Sequence, residues 1–248
     1  MSERTVDWTA LRPRGEEPGD EGLREKKKRL MRQQLSDTAT EMFMERGFDG
    51  VRVSEIAAAC GVSEKTVFNY FPTKESLVLD RWEATTAALR SALTEPATPP
   101  VEAVLDVLSG ELGAMTSWLA SQEDPVHGAA LMTRFGALIG STPSLRAHQH
   151  DQTGRLVSVA AEALAERTAT GPDAPEPRIA AIALLGLWDV QSLSLRRHLK
   201  EMSTPARLHE AVTADVRRAA ELLRAGLASF GREAPCGTAL SPGGSRPS

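Results

Sequence analysis

VSEIAAACGVSEKTVFNYFP, residues 53 to 72, decides how this chain is read. Ile56 and Ala57 belong to one short apolar stretch, Gly61 follows, and Val62 and Val67 return apolar side chains toward the same small core. Two helices cross steeply only where the contact residue is small and the turn tolerates positive φ. Ala57 supplies the first and Gly61 the second. The pattern predicts a helix-turn-helix whose second helix, Ser63 to Tyr70, keeps an outer face free to enter a major groove.

Working outward, a helical pattern runs from Leu23 to Arg46, with Leu35, Ala39, Met42 and Phe43 at three- and four-residue spacing. Gly47 stops it as a C-cap, and Phe48 is expected to fold back onto the core. After Pro72 and Thr73 a fourth helix is expected, capped by Thr73 and running from Lys74 to about Leu93. TEPATPP, residues 94–100, is the clearest punctuation. Beyond it, helices are expected at about 101–121, 126–140, 144–168, 177–200 and 205–230, separated by Pro-containing breaks. Leu208, Val212, Val216, Ala219, Leu223, Leu227 and Phe230 form one stripe on the last of these. The expected architecture is all-α: a three-helix head at 23–74 and a larger helical body at 75–231. Residues 1–22 and 232–248 are expected to be disordered.

Composition sets the bounds. A chain of 248 residues with 41% hydrophobic content can build a sizeable core, and with few aromatics (4%) and no long β-branched runs it favours helix. No window of about 18 apolar residues is evident, so no membrane span is expected. The stretch MSERTVDWTALRPRGEEPGDEG lacks an apolar signal core, which points to the cytoplasm. Cys60 and Cys236 are not expected to pair. The net charge of −4 is unevenly distributed: residues 23–32, LREKKKRLMR, hold six basic residues and one acid. A local basic arm beside a groove-binding motif matters more to phosphates than the whole-chain sum. No Gly-rich phosphate loop, Gly-x-Ser-x-Gly elbow or Cys-x-x-Cys pair occurs, so neither catalysis nor a cofactor is expected. His148, His150 and Asp151 are spaced too closely to share a helix face, and no metal site is expected.

LSDTATEMFMERGFDGVRVSEIAAACGVSEKTVFNYFPTKESL, residues 35–77, resembles the TetR family of transcriptional regulators. The first helix ends in ERGF, and the IAAACGVS turn, the TVFNYF helix and the FPTKESL exit follow in order. The resemblance implies a homodimer on an inverted-repeat operator in double-stranded DNA, with the last two helices of each subunit forming the dimer interface. It also implies a small-molecule effector in the body. Ser63 is the expected N-cap of the recognition helix, with Lys65, Thr66 and Asn69 on its outward face for base edges or backbone. The resemblance gives Tyr70 and Lys74 phosphate contacts. Arg52 and Ser54, at the start of the preceding helix, are candidates to clamp the same strand. Arg52 departs from the Ser or Thr cap common in the family. Lys65 is the only base in the recognition helix, so Lys26, Lys27, Lys28, Arg29 and Arg32 are expected to supply affinity through counterion release.

In the body, Met115, Trp118, Leu131, Met132, Phe135, Leu138 and Trp188 are candidates to line an apolar pocket, although Met and aromatics at helical spacing are more often plain core. Arg134 and Asp189 interrupt apolar stretches. If buried, Asp189 needs a partner, either a structural ion pair or a ligand. The expected function is a dimeric repressor released by a hydrophobic effector. Alternatives are an activator or ligand-independent regulator, or a helical small-molecule-binding or interaction protein without a DNA role.

Overall fold

The computed structural model describes residues 22–79, 82–171 and 174–226. Among them the regular structure is entirely helical. The head holds α1 (Leu23–Arg46), α2 (Val53–Ala59) and α3 (Glu64–Tyr70). The body holds α4 (Trp82–Thr94), α5 (Pro100–Ser121), α6 (Pro125–Ser141), α7 (Pro143–Thr168), α8 (Pro175–Leu199) and α9 (Pro205–Gly226). Residues 1–21 and 232–248, expected to be disordered, lie outside the described residues, as do Cys236 and the Leu227–Phe230 end of the α9 stripe.

The head closes around Phe43, Phe48, Ile56, Val67 and Phe71, with the Phe43 and Phe48 rings 4.9 Å apart. Two glycines shape it. Gly47 ends α1 at φ 78°, its N–H bonded to the Phe43 carbonyl, and Gly61 makes the α2–α3 turn at φ 68°. Both values lie where a Cβ is costly. Ala57, 2% exposed, lets α2 and α3 approach.

The expected fourth helix does not begin at Lys74. The Ser76 N–H donates to Thr73 Oγ1 at 3.2 Å, and the Ser76 hydroxyl donates to the Thr73 carbonyl at 2.6 Å. These local bonds close a 3-10 turn at Glu75–Leu77 and compete with a continuous helix. The turn drops Leu77 and Val78 into the head core, which therefore extends past residue 74, and α4 spans Trp82–Thr94.

The body packs α4, α5, α7, α8 and α9 around a Leu- and Ala-rich core that includes Leu89, Leu108, Leu119, Leu164, Leu184 and Val212. The Arg167 guanidinium donates to the carbonyls of Leu93 and Glu95, satisfying acceptors left open at the end of α4. Asp215 ties α9 to α8. It accepts from Ser194 at 2.7 Å, Arg197 at 2.6 Å and His198 at 3.2 Å, and from Arg218 on its own helix. The Ser194 hydrogen bond, aided by Arg218, His198 and Arg197, holds the Asp215 carboxyl well below the usual carboxylate range.

One helix is more apolar than the sequence reading expected. By length and composition alone α8 could cross a bilayer, with mean hydropathy 1.3 over its best 18-residue window, a third of which is buried. Helix α8 is apolar on two faces. Ala180, Ala181, Leu184, Leu185 and Leu187 pack inward, whereas Ile179, Ile182 and Leu193 are exposed.

Head and body share packing. Leu145, near the start of α7, is fully buried within the head cluster, and Phe135, Leu138 and Ile139 of α6 pack against it.

Candidate nucleic-acid interface

Ser63 caps α3: its Oγ accepts the Thr66 N–H at 3.1 Å and shares a 2.8 Å hydrogen bond with the Thr66 hydroxyl. That satisfies one of the donors a helix start leaves open and fixes the Thr66 rotamer. Val67 and Phe71 are buried, which anchors the inner face. Lys65 and Asn69 are exposed on the opposite side, with Thr66 and Tyr70 half-buried at its edges. Phe68 is 44% exposed on the same outer side. Sequence reasoning passed over it, because an aromatic in TVFNYF reads as core. The one signal against that was spacing, since Val67 and Phe71 already fill the inward positions.

Helix α2 starts firmly despite Arg52 at its N-cap. The Arg52 N–H donates to Glu55 Oε2 at 2.7 Å, and Arg46 reaches Glu55 Oε1 at 2.7 Å. Glu55 thus supplies the returning half of a capping box. The Arg52 backbone bond first, then Arg46, lowers the Glu55 carboxyl below its ordinary value. The Arg52 and Ser54 residues are both exposed at this end of α2.

Lys74 is turned inward. Its ammonium donates to the Phe48 carbonyl at 2.5 Å and lies over the Phe48 and Phe43 rings, 4.3 and 5.4 Å from their centroids. Burial depresses its pKa, opposed by Asp49 and other nearby acids. In this conformation Lys74 fastens the exit of α3 to the α1–α2 loop, a role that spacing alone did not reveal.

The basic arm divides in two. Lys26, Lys27, Lys28 and Arg29 are exposed on the first turns of α1. Arg32 instead donates to the Tyr70 carbonyl at 2.9 Å and stacks 4.8 Å from the Phe71 ring centroid, a cation at the C-terminal end of α3. Positive charge at the start of α1 opposes the helix dipole, a cost that phosphates alongside would offset.

The pocket candidates that reach a core divide between the two, body and head. Trp118 and Met132 are buried in the body core, with Met115 and Trp188 packed against it, while Phe135 packs toward the head. The Trp188 indole N–H donates to Glu111 Oε2 at 3.0 Å, and Thr85 donates to Glu111 Oε1 at 2.8 Å. Glu111 was not singled out from sequence, because an acid in a mixed helix gives no periodic signal. Arg134 is exposed and donates to the Met44 carbonyl at 3.3 Å, bridging α6 to α1. Asp189 is also exposed, on the outer face of α8 between Ile182 and Leu193, so the burial that would have demanded a partner does not arise. Among the described residues no cluster of three His, Cys, Asp or Glu side chains is arranged to hold a metal.

Comparison with known proteins agrees with this geometry. Residues 35–80 match the family model "Bacterial regulatory proteins, tetR family", and residues 113–228 match "MftR C-terminal domain". Together the two matches cover more than half of the chain. The chain is 32% identical over 149 residues to the HTH-type transcriptional regulator TcmR of Streptomyces glaucescens, covering 58% of this chain and 65% of that protein. It is 28% identical over 92 residues to the HTH-type transcriptional repressor DhaR of Mycobacterium sp. (strain GP1), covering 33% of this chain and 46% of that one. A solved TetR-family regulator from Streptomyces coelicolor A3 aligns with 82% of this chain and 99% of its own, at 22% identity and TM-score 0.42. With a capped recognition helix on a closed three-helix head and a helical body behind it, the chain belongs to the TetR family and is a helix-turn-helix DNA-binding transcriptional regulator, not an enzyme.

Proposed function

We propose that this regulator acts in the cytoplasm as a homodimeric repressor, released from an inverted-repeat operator when a small molecule binds its body. The domain division that goes with it is a reading head from residue 23 that takes in Leu77 and Val78, and a ligand-binding and dimerisation body from α4 onward. The observation that carries the proposal is an unpartnered apolar stripe on α8. Ile179, Ile182 and Leu193 are 63%, 48% and 54% exposed, and Leu222 of α9 is 81% exposed. Large apolar side chains lined up on one helix favour burial against a second copy. A two-fold pairing through α8 and α9 would present two recognition helices to successive major-groove faces, roughly 34 Å apart.

On each head, Lys65, Thr66 and Asn69 are the proposed base-reading set, joined by Phe68. Arg52, Ser54, Ser63, Tyr70, Lys28 and Arg29 are the proposed backbone contacts, with Lys74 contributing through its grip on the α1–α2 loop. Release requires the effector to bind the DNA-incompetent arrangement more tightly than the competent one. The shared packing of α6 and α7 with the head supports such coupling.

The test selects bound sequences from a random duplex pool at fixed salt, then measures mass with and without DNA. A palindromic consensus bound by two chains is expected. An asymmetric half-length site bound by one chain would end the dimer reading.

A further inference from the structure

The body contains a cavity of about 270 Å³ between α5, α8 and α9, separate from all seven of the pocket candidates read from sequence. Its apolar floor includes Leu105, Leu108, Leu112 and Val216. One end is closed by Arg224, which donates to Glu102 at 2.8 Å and pairs with Glu221. These neighbours raise the Arg224 pKa further, so that end is electrically satisfied.

The rest of the rim is not. Asp106 on α5 and Arg217 on α9 both line the cavity, and among the described residues neither has an ion-pair or hydrogen-bond partner. The Gln191 side-chain amide, on α8, likewise has none. Thr213, also on the wall, keeps its Oγ1 out of solvent without a hydrogen bond. A buried hydroxyl without a partner is an exception in a folded protein. One free charge of each sign, two unused polar groups and an apolar floor therefore converge on one small space.

We infer that this cavity binds a compact zwitterion, a molecule carrying one ammonium and one carboxylate on an apolar frame. Asp106 takes the ammonium, Arg217 the carboxylate, and the leucines the hydrocarbon between them. Arg217 suits the anion because its guanidinium offers a planar fork to two oxygens. A water's share of liquid volume is about 30 Å³, so the space equals roughly nine waters and suits a ligand of about ten non-hydrogen atoms. The inference deepens the proposed effector response and rests on that reading only for its consequence at the operator.

Titration calorimetry on the full-length protein without DNA tests the site, with 6-aminohexanoate and L-leucine as probes and hexanoate and hexylamine as single-charge controls. At least one zwitterion is expected to saturate, with either control about tenfold weaker. Asp106→Asn and Arg217→Gln are each expected to weaken it about tenfold while leaving the melting curve unchanged, since both residues are exposed. Thr213→Val keeps the shape, removes the hydroxyl and should weaken binding severalfold. No saturation by either zwitterion up to roughly 10 mM, or unchanged binding by both charge variants, overturns the site. Operator release is read separately on the same samples. Saturable, variant-sensitive binding without release would uphold the site and overturn the effector reading.

Discussion

The head and the body solve the packing problem differently. The head closes around aromatic rings and two positive-φ glycines, with Ser63, Glu55 and Arg32 fastening helix ends through short-range bonds. The body relies on long Leu- and Ala-rich helices, held in register by a few long-range ties such as Asp215 to Ser194 and Arg167 to the end of α4. The head therefore presents one fixed outer face. The body leaves apolar surface on α8 and a polar cavity beside α9 open for other molecules. Rigidity suits the part that reads a duplex, and unspent surface suits the part that answers partners.

The contrast can be broken at its strongest point first. Phe71→Ala, at a fully buried ring, is expected to cost about 3–5 kcal/mol and to melt the head. Residue-resolved hydrogen exchange should then show α1–α3 opening at lower energy than α8 and α9. Equal loss of protection throughout would show that head and body are one cooperative unit. Next in size, Ile182→Arg places a charge on the exposed apolar stripe and should weaken dimerisation by roughly 2 kcal/mol or more, read by sedimentation. The monomer's thermal stability should be nearly unchanged, because the side chain is already half in solvent.

Two substitutions sharpen the account of the head. Asn69→Ala should lose about 1–3 kcal/mol of discrimination between matched and mismatched sites. Lys28→Ala should weaken all sites alike and reduce the slope of log affinity against log salt by about 0.9. A competition assay across salt concentrations separates them, and identical behaviour of the two variants would refute the division between reading helix and basic arm. The smallest effect concerns Glu55, whose folded-state pKa lies below its ordinary 4.5. The stabilisation from its ionised form is fully present above that value and fades as pH falls through the lower folded-state pKa. Glu55→Gln should therefore destabilise the head modestly at neutral pH and progressively less on acidification. A difference that is constant with pH would mean the carboxylate charge plays no part.

Legibility followed the same divide. Gly47, Gly61, Ala57 and the Ser63 cap act within a few residues of themselves, so their roles were readable from the sequence and hold in the structure. The 3-10 turn after Thr73 was missed because Ser76 competes locally with helix propagation, which apolar spacing does not register. Lys74 and Arg32 were read as surface cations, yet each reaches a carbonyl at least 26 residues away along the chain. Whether Asp189 is buried was left open by the apolar stretch it interrupts, and it lies outside because α8 is apolar on its outer side as well. The cavity was illegible from sequence. Its walls come from three helices, and on each of them the charged rim reads as a solvated side chain like any other.

Leu145 belongs to α7 yet is enclosed by the side chains of the head. Close-packed interiors do not let one knob slide without opening a void, so α7 and the three-helix unit must travel together. A shift of α7 would therefore press directly on the core that supports the reading helix. Shaving Leu145 to Ala would leave a void at that contact and uncouple the two parts at the cost of head stability.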